Sequence, residues 1–136
     1  MAVWPIGLRA MELMGMMYLA MGDVDAAEGL ARRILATAQG KYELHVHAVA
    51  CSSLSALARA LATKGHPAAA AAILEDALRA TQAHLGPSDP ACRQLAAASV
   101  QAYIRHPDPE ARAKGVGVAE ALLQVRAHRH GHTTFC

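Results

Sequence analysis

Aromatic side chains make up only 4% of this 136-residue chain, with one Trp, three Tyr and one Phe. A core built around a few large rings is therefore excluded. The hydrophobic fraction is 54%, much of it alanine, so the chain is too apolar for wholesale disorder and too short of bulk for a core of large side chains. Backbones must approach one another closely instead. Charge is scarce as well: 18% of residues are charged, the net charge is +2, and no dense block of Lys or Arg occurs. That balance indicates neither nucleic acid nor an anionic membrane surface as a partner.

The three cysteines, Cys51, Cys92 and Cys136, are odd in number, widely spaced and without a CxxC pair. A disulfide framework does not fit them, and Cys51 and Cys92 read as small buried hydrophobes in a reducing compartment. β-branched residues are few and no strand-like alternation persists, which argues against a sheet. The opening MAVWPIGLRA lacks the basic segment and long apolar run of a secretory signal. Charged residues are expected to interrupt every apolar run before the roughly 18–20 residues a bilayer requires, so no membrane insertion is anticipated. The expectation is an intracellular, cytoplasmic chain, with an organelle lumen or matrix open where a transit peptide has been removed.

Glycine and proline punctuate the chain at regular distances. Gly22-Asp23, Gly40, Gly65-His66-Pro67, the run from Gly86 to Pro90 and the run from His106 to Pro109 divide it into six pieces. Each piece is long enough for a helix and too long for an ordinary strand. The expected helices cover residues 7–21, 24–38, 45–64, 67–84, 90–105 and 109–127. Asp23, Asp89 and Asp108 can accept hydrogen bonds from the open amides at the starts of the helices that follow them. Pro67 and Pro109 suit the first helical position, where no intrahelical partner awaits the missing N–H. Gly22 and Gly65 supply the backbone freedom to leave a helix. Short turns then set neighbouring helices side by side as three antiparallel hairpins, over residues 7–40, 45–86 and 90–127, with a flexible tail at 128–136.

Those hairpins repeat in sequence. Residues 11–35 superimpose on residues 54–78 at an offset of 43, which pairs Met11 with Leu54, Met14 with Leu57, Gly15 with Ala58, Tyr18 with Leu61, Gly22 with Gly65 and Ala27 with Ala70. A weaker third copy follows 42 residues later, through Ala96, Ser99, Val100, Tyr103, Pro107 and Pro109. There Arg112 falls on the small position of Ala70, so this copy either breaks the small-residue rule or shifts to Ala111 or Ala113. The order of large residue, Leu-Gly-like pair, Tyr-like residue, turn Gly and small Ala resembles the tetratricopeptide repeat family. The longer spacing and the stretch ILEDALRATQAHLGPSDP are similar to the extended repeats of kinesin light chains. An all-α, right-handed solenoid of three hairpins is what the resemblance implies, with Leu54, Leu57, Leu61, Leu74 and Leu78 as large inserts and Ala58, Ala70 and Ala77 at close contacts.

In such a solenoid the first helix of each pair lines the concave side. The register then places Arg9, Glu12, Met16 and Leu19 in a first strip, Ser52, Ser55, Arg59 and Ala62 in a second, and Gln94, Ala97, Gln101 and Arg105 in a third. The expected function is a non-catalytic protein–protein interaction module or adaptor whose groove takes a peptide or helix. Arg59 and Arg105 would offer carboxylate contacts and Met16 an adaptable apolar one. Glu12 and Met16 stand where a clamp for acidic chaperone tails would use Lys and Asn, which argues against that ligand. The alternative is a structural subunit of a permanent multiprotein complex, or an accessory repeat segment of a larger protein. It follows from apolar residues at both ends: Met11, Met14, Met16, Met17 and Met21 in the first helix, and Val116, Val118, Leu122, Leu123 and Val125 in the last.

No catalytic set, cofactor site or metal site is expected. Glu75 and Asp76 are adjacent and diverge on a helix, Gly115 and Gly117 interrupt a helix rather than form a phosphate loop, and Ser52, Ser53 and Ser55 have no neighbouring His/Asp set. His128, His130 and His132 near Cys136 match no familiar zinc spacing and read as a disordered or partner-contacting tail. His45 and His47 read as capping or solvated groups at a helix start.

Overall fold

The computed structural model describes the backbone of residues 3–39 and 44–134, with side chains over 6–39 and 46–124. Six helices run in order: α1 (Val3–Ala20), α2 (Val24–Gln39), α3 (Leu44–Thr63), α4 (Pro67–Leu85), α5 (Pro90–Ile104) and α6 (Pro109–Thr134). Among the described residues there is no strand. The expected turn at Gly40 and the tail residues 135–136 lie outside the described residues.

The boundaries have local causes that the sequence carries openly. Asp23 Oδ1 accepts from Ala26 N at 3.1 Å, Asp89 Oδ1 from Ala91 N at 2.9 Å and Asp108 Oδ1 from Glu110 N at 3.1 Å. Each bond satisfies an amide that the helix itself leaves open. Gly22 and Gly65 leave α1 and α3 with φ of 83° and 96°, a region that side chains with a Cβ avoid. At the far end α6 continues to Thr134, past the expected stop at 127, so residues 128–134 are helical backbone rather than a tail. No proline follows Pro109, and Ala, Arg and Gln favour continuation of the helix.

Successive helices pair as hairpins, α1 with α2, α3 with α4 and α5 with α6. Each first helix also packs on both helices of the hairpin before it: α3 touches α1 and α2, and α5 touches α3 and α4. The second helices stand further apart, α2 meeting α4 over a short length and α4 having no close backbone approach to α6. This is a tetratricopeptide-like solenoid of helical hairpins, each supplying part of the next one's core.

Small residues set the helix spacing. Gly15 lies against Leu57 so tightly that an added Cβ would sit 2.8 Å from both of its terminal methyl groups. Gly115 does the same in the third hairpin, where a Cβ would lie 2.6 Å from Tyr103 Cβ. Leu54, Leu57, Leu61 and Leu74 are fully buried, Leu78 is half-buried against the same core, and Ala27, Ala58, Ala70 and Ala77 fill the close contacts. In the third copy Ala111 packs on the core while Arg112 stays exposed, donating to the His106 and Pro107 carbonyls at 2.8 and 3.1 Å. The small-residue position has therefore shifted by one.

One sequence expectation is corrected by α3. Its Val46–Thr63 segment is long and apolar enough, by length and composition, to match a membrane span. Only Arg59 carries charge within it. Yet 61% of the segment is buried inside the protein, where four helices surround it, as expected of a core helix.

Candidate partner-binding groove

The first helices α1, α3 and α5 lie side by side, which brings equivalent repeat positions into rows. Arg9 and Ser52 show the register directly: they are 43 residues apart, and the Arg9 guanidinium donates to Ser52 Oγ at 3.4 Å. Arg9 also holds Glu12 at 2.9 Å, which ties the two charges to each other at the start of the first strip. Arg59 and Arg105 are exposed. Arg105 borders an open hollow with Ala62, Thr63 and His66 beside the α3–α4 turn.

Not every expected groove residue faces out. Leu19, Ser55 and Ala62 are buried, and Met16 is half-buried against the core. The physical reason is the closeness of the first helices. With Gly15, Ser55, Ala58 and Ala62 as the intervening side chains, α1, α3 and α5 close over positions that wider spacing would leave open. Ser53 Oγ and Ser55 Oγ are buried without a hydrogen-bond partner. Gln94 and Gln101 are exposed together with half-buried Ala97, but they border a hollow between α5 and α6 of about 640 Å³, whose floor includes Leu122 and Leu123. The third strip therefore turns towards the end of the array. Of the expected groove residues, Arg9, Arg59 and Arg105 are exposed and Glu12 and Ser52 are half-buried.

A polar node ties α4, α5 and α6. Tyr103 Oη donates to Glu75 Oε2, and Lys114 Nζ reaches the same oxygen at 3.0 Å. Burial pushes the Glu75 carboxyl up, but the bonds from Tyr103 and Lys114 and the charges of Lys114 and Arg79 outweigh it and hold the group below its ordinary value. The Tyr103 phenol is pushed up by burial and by its bond to Glu75. This node was not foreseen, because residues so far apart in sequence give no local signal. Arg32 and Asp76 similarly join α2 to α4, and Asp76 also pairs with Arg79.

A separate cavity of about 200 Å³ among α2, α3 and α4 is lined in part by Leu35, His47, Cys51, Thr81 and His84. His47 is buried rather than solvated, and its ring stacks on His84 with centroids 4.3 Å apart. Burial, together with the nearby Asp89 and Cys51, pushes the Cys92 thiol up to about 11. Cys51 is also pushed up, by burial, and its Sγ lies 3.6 Å from Thr81 Oγ1. Both thiols are free and stay protonated at neutral pH, which makes them poor nucleophiles and poor metal ligands. Among the described residues no group of three His, Cys, Asp or Glu side chains is placed to hold a metal ion. The expectations on His128, His130, His132, Val125 and Cys136 lie outside the described side chains, as does that on His45.

Comparison with protein families matches the tetratricopeptide repeat twice, over residues 10–42 and over residues 51–91. The chain belongs to the tetratricopeptide repeat family. The first match lies within α1–α2 and the turn after it, the second runs from within α3 through α4 to the start of α5, and the rest of the third hairpin, with the weakest copy of the pattern, falls outside them. They leave the likeness to kinesin light chains as an expectation from repeat length. No curated protein and no solved structure matches the sequence. Tetratricopeptide repeats in general mediate protein–protein interaction and are in general not enzymes.

Proposed function

We propose that this tetratricopeptide repeat chain is a non-catalytic adaptor that binds a segment of a protein partner, as an extended peptide or a helix, along its first helices. The carrying observation is the row of Arg9 and Ser52, equivalent positions of successive repeats joined by a hydrogen bond across α1 and α3. Rows of this kind present side chains at a regular spacing, which suits a regular backbone more than a compact small molecule. Arg59 and Arg105 have no carboxylate partner within the protein among the described ion pairs, so both are available to acidic groups of the ligand. Arg9 is already engaged by Glu12 and serves to shape the strip.

The test is recovery of the native complex by proximity crosslinking, followed by affinity measurement with the partner so found. Crosslinks are expected on the strip from Arg9 to Arg105. The double substitution Arg59→Ala/Arg105→Ala should weaken binding at least tenfold, since a hydrogen bond to a charged group contributes about 1.5–3 kcal/mol. Unchanged affinity would remove both arginines from the reading. Bare apolar side chains on α1 and α6 favour a second reading, a structural subunit of a permanent assembly, and crosslinks concentrated there instead would select it.

A further inference from the structure

The two ends of the solenoid are chemically unlike, and each matches a surface that is covered inside the array. On α5, Ala91, Leu95, Ala98, Ser99 and Ala102 are buried, and their equivalents on α3 include Ser53 and Leu57, both fully buried against the preceding hairpin. The same positions on α1 are Ile6, Ala10, Leu13, Met14 and Met17, and all are exposed. Met17 is 64% exposed, although nothing charged separates it from Leu13 and Met14 on that face. At the other end the situation is reversed. Ala58, Ala62, Leu74 and Thr81 are buried on the hairpin that α5 packs against. With α6 read in the register that Ala111 sets, their equivalents in the third hairpin are Val100, Ile104, Gly115 and Leu122: Ile104 is 67% exposed, Val100 and Leu122 are half-buried, Gly115 is buried against Tyr103, and the adjacent Val116 and Leu123 are more than half exposed.

The hollow between α5 and α6 is thus an empty copy of the seat that α1–α2 offers α3 and that α3–α4 offers α5. Its volume of about 640 Å³ is generous, and the bare face of α1 carries larger side chains than its counterpart on α5, Leu13, Met14 and Met17 in place of Ala98, Ser99 and Ala102. The polar rows continue as well. Arg9, which donates to Ser52 of the next repeat, would meet Gln94, the neutral acceptor at the same position of the last one.

We propose that the occupant of each end is a second copy of this chain, docked head to tail, with α1 of one copy seated between α5 and α6 of the next. The contact continues the interface already made twice within the chain. Being heterologous, it leaves a free head and a free tail on every assembly, so copies add without closure unless the rotation per copy completes a ring. It does not depend on the groove, so the failure of either proposal leaves the other standing.

Three forms of the chain test it by sedimentation velocity over a concentration series. The unaltered chain should form species larger than a dimer that grow with concentration. Met17→Glu spoils only the head and Leu123→Glu only the tail, and both positions are exposed enough that the fold tolerates the change, as helical circular dichroism would verify. Each variant alone should sediment as a monomer. An equimolar mixture of the two should form a 1:1 dimer and nothing larger, because one intact head and one intact tail remain. A monomeric unaltered chain, a mixture that fails to associate, or self-association lost in only one of the two variants would each overturn the proposal.

Discussion

Helices α1 and α3 occupy the same place in successive repeats, and their environments differ almost completely. Leu57 of α3 is fully buried in the cleft beside Gly15, whereas Met14, its equivalent on α1, is 44% exposed. Both residues are large, apolar and in register. The difference comes from what stands on the N-terminal side: α3 has α1 and α2 there, and α1 has nothing among the described residues. In a repeat array, position in the repeat decides which side chain points at a neighbour, and position in the array decides whether a neighbour is present.

The largest effect that sharpens this comparison comes from truncating both residues. Leu57→Ala should lower the unfolding free energy by about 2–5 kcal/mol, the range for emptying a close-packed site. Met14→Ala should cost less than about 1 kcal/mol, since much of its surface already meets water. Urea denaturation of the two variants measures the difference, and equal losses would break the equivalence on which it rests.

A smaller effect separates glycines that hold helices together from one that does not. Gly115→Ala places a methyl against Tyr103 Cβ, an atom fixed to its own backbone, so α5 and α6 must part at a cost of about 1–3 kcal/mol. Gly15→Ala meets only the mobile ends of Leu57 and should cost less. Gly29→Ala on α2 meets nothing within 4 Å and should stabilise the chain by about 0.5–1 kcal/mol through helix propensity. Thermal melts of the three variants should rank in that order.

The mildest effect concerns the node at the third hairpin. The folded state holds the Glu75 carboxyl below its ordinary 4.5, so its contribution is fully present above that pH and is lost as pH falls through the depressed value. Glu75→Gln should therefore destabilise the chain at pH 7, and its difference from the unaltered chain should shrink with acidification below 4.5. A gap that stays constant with pH would remove the charge from the account.

Much of the fold is legible in the sequence because its causes are local. Gly22, Gly65, Pro67, Asp89 and Asp108 each act within a few residues, and they place the hairpins almost where the structure has them. The repeat offset carries part of the stacking as well: Gly15 is readable as a small position and Leu57 as a large insert, and the structure shows that the two meet. The groove was less legible. Register alone assigns Leu19 and Ser55 to an open face, whereas their burial depends on the distance between helix axes, which the small residues reduce. Gln94 and Gln101 border the hollow between α5 and α6, which among the described residues no further hairpin covers. Glu75, Tyr103 and Lys114 meet only through tertiary packing, and no spacing announces them.

The central claim is that each hairpin is stabilised by its neighbours and that the end helices lack half of that support. Native-state hydrogen exchange on the monomeric Met17→Glu chain measures it helix by helix. The account predicts that the amides of α3 exchange only through global unfolding, while those of α1 and α6 exchange faster through local opening. Protection of α1 or α6 equal to that of α3 would contradict it.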